Sequence, residues 1–472
     1  MDFISFNYNI FLCCTVVLYY ILPKQIRWYS LLAGSFLFYL ISAPDSIAIF
    51  FAMIVFSYGA SHLISRIQNL SQRSKKYIFI ILIAVLIAPL FFCKNIFLSA
   101  GFAAPLGLSF FTLQMIAYVA DVYLGKITPQ KNFLKYALFI SFFPQILQGP
   151  IPRYEQLGSQ LFAGHEFQEK EFVKALQLLL WGFFLKLMIA DKAAVVVDAV
   201  FDNYEMYRGC YVIFAGILYS IQLYADFLAC VTLAQGAASL FGIRLTDNFN
   251  HPYFADSIHE FWRRWHISLS TWLKDYIYIP LGGNRKGTVR KYLNLIITFI
   301  VSGMWHGTGF QFIVWGLLHA FYQIFGSLTL HLRESLYQFL GFEPEHFLKK
   351  HIRRVFTFLF VTLAWIIFRA DSLNAAFIMI ESIFTVRNPW IFFDDSIFSL
   401  GLSWKEFVIL AVSIGILAVS STLQEKLCIR DKILNQPLIV RWTVYLTAIA
   451  AVYIFGTYGF GFNAQDFIYG GF

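Results

Sequence analysis

The chain has 472 residues, of which 59% are hydrophobic, 19% aromatic and only 13% charged. Soluble globular chains carry roughly 25% charged residues and disordered ones need low hydrophobicity with high charge, so both classes are excluded. The net charge of +9, from 36 Lys and Arg against 27 Asp and Glu, sits in short connections between apolar runs. There it reads as membrane topology, and no nucleic-acid partner is expected. At roughly 20 apolar residues per crossing, the apolar fraction sets a ceiling of about 13 or 14 spans. The six cysteines (Cys13, Cys14, Cys93, Cys210, Cys230, Cys428) are scattered, with no CxxC or Cys/His ligand spacing, so neither a metal site nor a disulfide framework is expected.

In chain order, apolar runs cover approximately 8–22, 28–42, 46–63 and 77–93. Lys24 and Arg27 follow the first run, and Arg66, Arg73, Lys75 and Lys76 follow the third, whereas the second connection carries Asp45. Both basic connections fall on the cytoplasmic side by the positive-inside rule, which places the N-terminus outside. The first run follows Asp2 without a basic n-region or a small-residue cleavage site and reads as a retained span. Runs near 104–123, 133–148 and 172–201 contain Pro, Gly, Gln and charge at awkward depths, and longer runs follow at 210–241, 292–330, 353–386, 406–421 and 438–462. Interrupted segments at membrane depth need protein or a water-filled cavity around them. No fixed-period repeat, low-complexity tract or separate soluble domain is evident. The expected fold is all-α: a polytopic integral membrane protein of roughly 11–14 transmembrane or re-entrant helices around a central cavity or funnel. Residues 1–472 read as one membrane-embedded domain, with N-terminal spans at 1–94, a core at 95–330 and C-terminal spans at 331–472.

Between His251 and His319 lie five of the ten His and five of the eleven Trp. In Asn250–Gly287 and just beyond, Arg263, Arg264, Lys274, Arg285, Lys286, Arg290 and Lys291 face only Asp256, Glu260 and Asp275. Two readings stand together. One is an interfacial helix anchored by aromatics and snorkelling cations. The other is a cytoplasmic mouth attracting a multiply anionic ligand, such as the phosphates of coenzyme A. Further on, LIITFIVSGMWHGTGFQFIVWGLLHAF places His306 in an apolar run beside Gly303, Gly307 and Gly309. An intramembrane ionisable residue marks a pathway or a reaction site, and the glycines permit a helix break. A neutral imidazole can act as general base toward a hydroxyl; the alternative is a buried His bonded to a neighbouring helix. On one continuous helix, His319 would lie roughly 20 Å and about 220° from His306, so it reads as secondary and structural unless the glycines break the helix between them. His259 and His266, seven apart, would share a helix face. His259-Glu260 does not open an HExxH motif, Gly282–Gly287 lacks the Lys of a phosphate loop, and no GxSxG is present, so metalloprotease, nucleotide-driven pump and serine hydrolase are unsupported.

IHEFWRRWHISLSTWLKDYIYIPLGGNRKG at 258–287, with SGMWHG at 302–307, resembles the membrane-bound O-acyltransferase family, and within it the bacterial polysaccharide branch of alginate and peptidoglycan O-acetylation membrane subunits. Further similar pieces are PLGLSFFTLQMIAYVADVYLGK (105–126), SFFPQILQGPIPRY (141–154), GFFLKLMIADK (182–192), FGIRLTDNFNHPY (241–253), LAWIIFRADSL (363–373) and the terminal FIYGGF. The resemblance implies acyl transfer from a cytosolic donor toward an acceptor outside, through a cavity that funnels inward from both faces. It assigns the essential His of the WHG motif to His306, with Trp305 beside it, and the second His to His266. Gln222 and Asp226 match the polar end of a QxYxDF element. One departure is that relatives commonly read DFSGYSDMAIG where this chain reads DFLACVTLAQG at 226–236, so Thr232 replaces an acidic residue and Leu228 a small polar one.

The implied activity is O-acetylation of an extracytoplasmic polysaccharide. His306 acts as general base, and Arg263, Arg264, Lys274 and Arg285 guide the donor. No cofactor is bound; the donor is acetyl-CoA or a carrier-protein thioester, met at the cytoplasmic face. Besides the lipid bilayer, the implied partner is an extracytoplasmic acyltransferase or esterase-like protein whose Ser or Thr would relay the acyl group. The location is a bacterial cytoplasmic membrane. Alternatives are D-alanyl transfer to teichoic acid from a carrier-protein thioester, and a non-enzymatic transporter of a lipid-linked sugar, which would share discontinuous helices and intramembrane polar groups.

Overall fold

The computed structural model describes residues 3–92, 105–341, 346–425, 427–458 and 467. Cys93 and the terminal FIYGGF beyond Phe467 lie outside the described residues. Every regular element among the described residues is a helix, and the protein is an all-α polytopic membrane protein. Among the described residues, seven helices are long and apolar enough to cross a membrane, or eight if the bent pair Phe310–Leu328 and Leu330–Phe339 is one span, and three apolar helices are shorter. Only 6% of the apolar window of Leu438–Phe455 is buried within the chain, so lipid must cover most of that helix.

The long runs divide where backbone chemistry demands it. The run at 133–148 is two helices, Phe133–Ser141 and Phe143–Ile146, with Pro144 in the first turn of the second. Proline is tolerated there because that N–H has no intrahelical partner. The run at 292–330 is likewise two helices, Thr288–His306 and Phe310–Leu328, separated at Gly307 to Gly309. Phe347–Arg369 stops before Leu373–Thr385, where Arg369 is tied to Asp198 (2.7 Å) and Asp202 (3.0 Å).

Residues 1–182, 230–247 and 466–472 form one compact unit. Its helices Phe6–Ile21, Arg27–Ser42, Ile47–Arg66 and Leu108–Tyr123 pack through aromatic rings, with Tyr39 stacked on Phe50 at 4.2 Å and Phe11 edge-on to Phe143 at 5.1 Å. Buried polar groups in this unit bond to one another: Tyr136 Oη donates to Ser57 Oγ (2.7 Å) and Gln114 Nε2 to the Phe139 carbonyl (2.7 Å). Such pairing is required where no water competes. A surface pocket of about 300 Å³, between Tyr20, His165, Glu171 and Arg244, contains none of the candidate site residues.

Residues 183–229 and 248–465 form the other unit. At its centre, Thr288–His306 and Phe310–Leu328 make a tight antiparallel hairpin. A Cβ on Gly303 would lie 2.3 Å from the Phe312 carbonyl oxygen, and one on Gly316 would lie 2.3 Å from that of Phe299. The two backbones approach closely because both crossing points lack a side chain, as at other small-residue helix contacts in membranes. Neither obstacle is a flexible side-chain end, so Gly303→Ala must separate the helices. We expect it to cost about 1–3 kcal/mol, the usual range for overpacking. Thermal unfolding in detergent measures this, with Gly326→Ala as control, since a Cβ there meets nothing nearer than Arg333 at 3.9 Å.

Trp262, Trp265, Trp315 and Trp365 pack together beside this hairpin, with Trp265 5.2 Å and Trp315 5.7 Å from Trp365. The sequence expectation of interfacial aromatic anchors is therefore corrected for Trp262 and Trp265. Both are buried core residues, with 8% and 1% exposure.

Candidate active site

His306 is the last residue of its helix, and Gly307 continues in extended backbone (φ −177°, ψ 172°). The helix break allowed by the glycines is real, and it places the imidazole at a chain reversal. His306 is 2% exposed. Trp305 lies 4.8 Å from it, and Trp315 and Phe368 each lie 5.2 Å away, all edge-on.

His266 reaches the same cluster from another element. It joins the short helices Ile258–Arg264 and Ile267–Leu273 and has left-handed backbone (φ 44°, ψ 55°). A non-glycine residue in this region is strained, and such strain tends to collect at functional sites. Buried Asn248 holds the turn: its carbonyl accepts from Ile267 N (3.0 Å) and its side-chain oxygen from Ser268 N (3.0 Å). The His266 ring lies 4.7 Å from Phe227 and 6.1 Å from Trp305. Trp305 thus contacts both candidate histidines. The left-handed turn also corrects the expectation that His259 and His266 share a helix face. The helix ends at Arg264, and His259 is exposed, 3.5 Å from Gln323.

His319 also joins the cluster, for the reason that a continuous helix would have excluded it. The reversal at Gly307 to Gly309 folds Phe310–Leu328 back, so Trp315 lies 5.2 Å from His306 and His319 lies 6.1 Å from Phe299, while Trp315 and His319, one turn apart on the same helix, are 5.0 Å from each other. Trp262 Nε1 donates to His319 Nδ1 at 3.2 Å.

Asp226 is buried on Cys210–Ser239, where it accepts from Lys186 Nζ at 2.8 Å. Lys186 also meets Asp191 at 2.9 Å, and the three side chains are 2–3% exposed. Lys186 sits in a π-helical stretch, Leu185–Ala190, a geometry frequent at functional sites. Gln222, one turn before Asp226, is buried, and its Oε1 accepts no hydrogen bond among the described residues. The sequence reading did not single out Lys186 and Asp191, the partners of Asp226; a lysine within the apolar run 172–201 was the available signal.

The cations lie apart from this core. Arg263, Lys274 and Arg285 are exposed. Arg264 is instead engaged, with NH2 2.6 Å from Glu260 and NH1 3.4 Å from the Asn250 carbonyl. Among the described residues, no group of three or more His, Cys, Asp or Glu side chains is placed to hold a metal ion.

The fold therefore presents two buried histidines sharing one tryptophan, a third behind a second tryptophan, and an exposed basic surface in the same unit. Residues 128–368 match the membrane-bound O-acyltransferase family. The chain is 34% identical over 378 residues to the probable alginate O-acetylase AlgI of Pseudomonas fluorescens, covering 80% of this chain and 74% of that one. It is 38% identical over 311 residues to the peptidoglycan O-acetyltransferase of Helicobacter pylori, covering 60% and 57%. It is 28% identical over 236 residues to the teichoic acid D-alanyltransferase of Bacillus subtilis, covering 46% and 57%. With the match running through both His266 and His306, the chain belongs to the membrane-bound O-acyltransferase family.

Proposed function

We propose that this protein transfers an acetyl group from a thioester to an extracytoplasmic polysaccharide, with an extracytoplasmic acyltransferase or esterase-like partner. It would sit in a bacterial cytoplasmic membrane, N-terminus outside, with residues 1–472 acting as one membrane-embedded domain. The observation that carries this reading is His306, a buried imidazole at a helix break beside His266 and Trp305. In the proposed step, His306 takes the proton of an acceptor hydroxyl as its oxygen attacks the thioester carbonyl carbon. The carbon–sulfur bond then breaks, and the leaving thiolate recovers that proton from the imidazolium, so ester and free thiol form with no other reactant. His266 is the second histidine of the centre. Gln222 and Asp226 contribute to its polar core.

Arg263, Lys274 and Arg285 are free in this reading to attract the donor's phosphates at the cytoplasmic face. Replacing all three by Ala is expected to raise the donor KM by roughly tenfold at low salt and less at high salt, with kcat little changed. Steady-state kinetics at two ionic strengths measure this. Arg264→Ala is a poor probe because it releases Glu260.

The overall test is transfer of labelled acetyl from acetyl-CoA by the purified protein in nanodiscs, with and without the partner. The expected result is free coenzyme A with label on a hydroxyl acceptor. Turnover only of a D-alanyl carrier-protein thioester would favour the second reading, teichoic acid D-alanylation, which the likeness to the Bacillus subtilis relative supports. Movement of a lipid-linked sugar without acyl transfer would overturn the enzyme reading.

A further inference from the structure

His319 is wholly buried among Trp262, Trp315, Phe299 and Tyr322. A phenylalanine would fill such a site without a polar group to satisfy. The indole N–H of Trp262 can only donate, so His319 Nδ1 must be its unprotonated nitrogen, and a neutral ring then carries its proton on Nε2. That Nε2 has no hydrogen-bond partner among the described residues, and a buried unmet donor costs free energy. What the imidazole provides, and a phenylalanine would not, is the acceptor for that indole N–H. The bond holds Trp262, whose ring lies 5.7 Å from Trp315, and His319 itself lies 5.0 Å from Trp315. Trp315 in turn lies edge-on to His306, at 5.2 Å and 85°.

We propose that His319 is a positioning residue: by holding the Trp262 indole N–H it fixes Trp315, and Trp315 sets the plane in which His306 presents its imidazole. This rests on the acyl-transfer reading above. The bond specifies orientation rather than bulk, so variants that keep volume and variants that keep the acceptor should part company. His319→Phe keeps the ring and removes the acceptor. His319→Asn loses the ring but keeps an oxygen near the Nδ1 position. Trp262→Phe removes the same bond from the donor side.

With full-length protein in nanodiscs and acetyl-CoA or a carrier-protein thioester as donor, His319→Phe should lower kcat by roughly ten- to a hundredfold, the scale of a small misplacement near a reacting group. Donor KM should stay within about twofold, as for an interaction made only in the transition state. His319→Asn should recover most of kcat. The double variant Trp262→Phe with His319→Phe should be no slower than the slower single, because both remove one bond. Full activity of His319→Phe, equal loss in Asn and Phe, or multiplicative losses in the double variant would each overturn the assignment while the reaction stands. A wild type silent with both donors would overturn the reaction and this inference together.

Discussion

His306→Ala should lower acyl transfer by roughly 10²–10⁴-fold, the range carried by a positioned general base, equivalent to about 3–5 kcal/mol of transition-state stabilisation. The imidazole is buried, so its loss also leaves a space between Trp305, Trp315 and Phe368. His306→Gln keeps most of that volume with a group that cannot serve as the base, and it should fall nearly as far. Thioester turnover by both variants, beside their thermal unfolding in detergent, separates lost chemistry from lost packing. Wild-type turnover by either correctly inserted variant would show that another group takes the proton.

The largest expected stability effect lies at Lys186. Its ammonium meets Asp226 at 2.8 Å and Asp191 at 2.9 Å in an almost fully buried setting. Lys186→Met removes the cation and leaves two carboxylates in low dielectric. Breaking one side of a buried ionic group typically costs about 3–5 kcal/mol. Neutralising the whole group, with Asp191→Asn and Asp226→Asn added to Lys186→Met, should recover much of that loss, because neutral side chains need no compensating charge. Unfolding midpoints and the yield of monodisperse protein measure both. A triple variant as unstable as Lys186→Met would mean that shape rather than charge holds these helices.

Much of the fold was legible because an uninterrupted apolar run bounded by charge or proline leaves little choice. The runs read at 8–22, 28–42 and 46–63 are the helices Phe6–Ile21, Arg27–Ser42 and Ile47–Arg66. Interior breaks were harder to place. Hydropathy continues through Thr308 and Ser372, whereas the backbone stops at Gly307 and at the Arg369 ion pairs. Resemblance drew attention to His306, His266 and Trp305, and the structure gathers them. It could not foresee that Asn248 bends the chain at His266, or that the reversal after His306 brings His319 back beside Phe299 of the preceding helix. Those are contacts between residues distant in sequence. Lys186 and Asp226, 40 positions apart, are a further case.

The π-helical stretch at Leu185–Ala190 also bears on how the buried ion group is built. In an ordinary α-helix, side chains five apart point in well-separated directions, whereas a π turn brings them together. Lys186 and Asp191 are five apart and already in contact at 2.9 Å. A pair made within one segment neutralises itself locally, whereas two separate charges each cost about 2.5–3.5 kcal/mol at a helix centre. Asp226, on Cys210–Ser239, supplies the third member of the group, 2.8 Å from Lys186. The bulge therefore makes two members of the ion group neighbours within one stretch of chain, and only the third has to come from another helix.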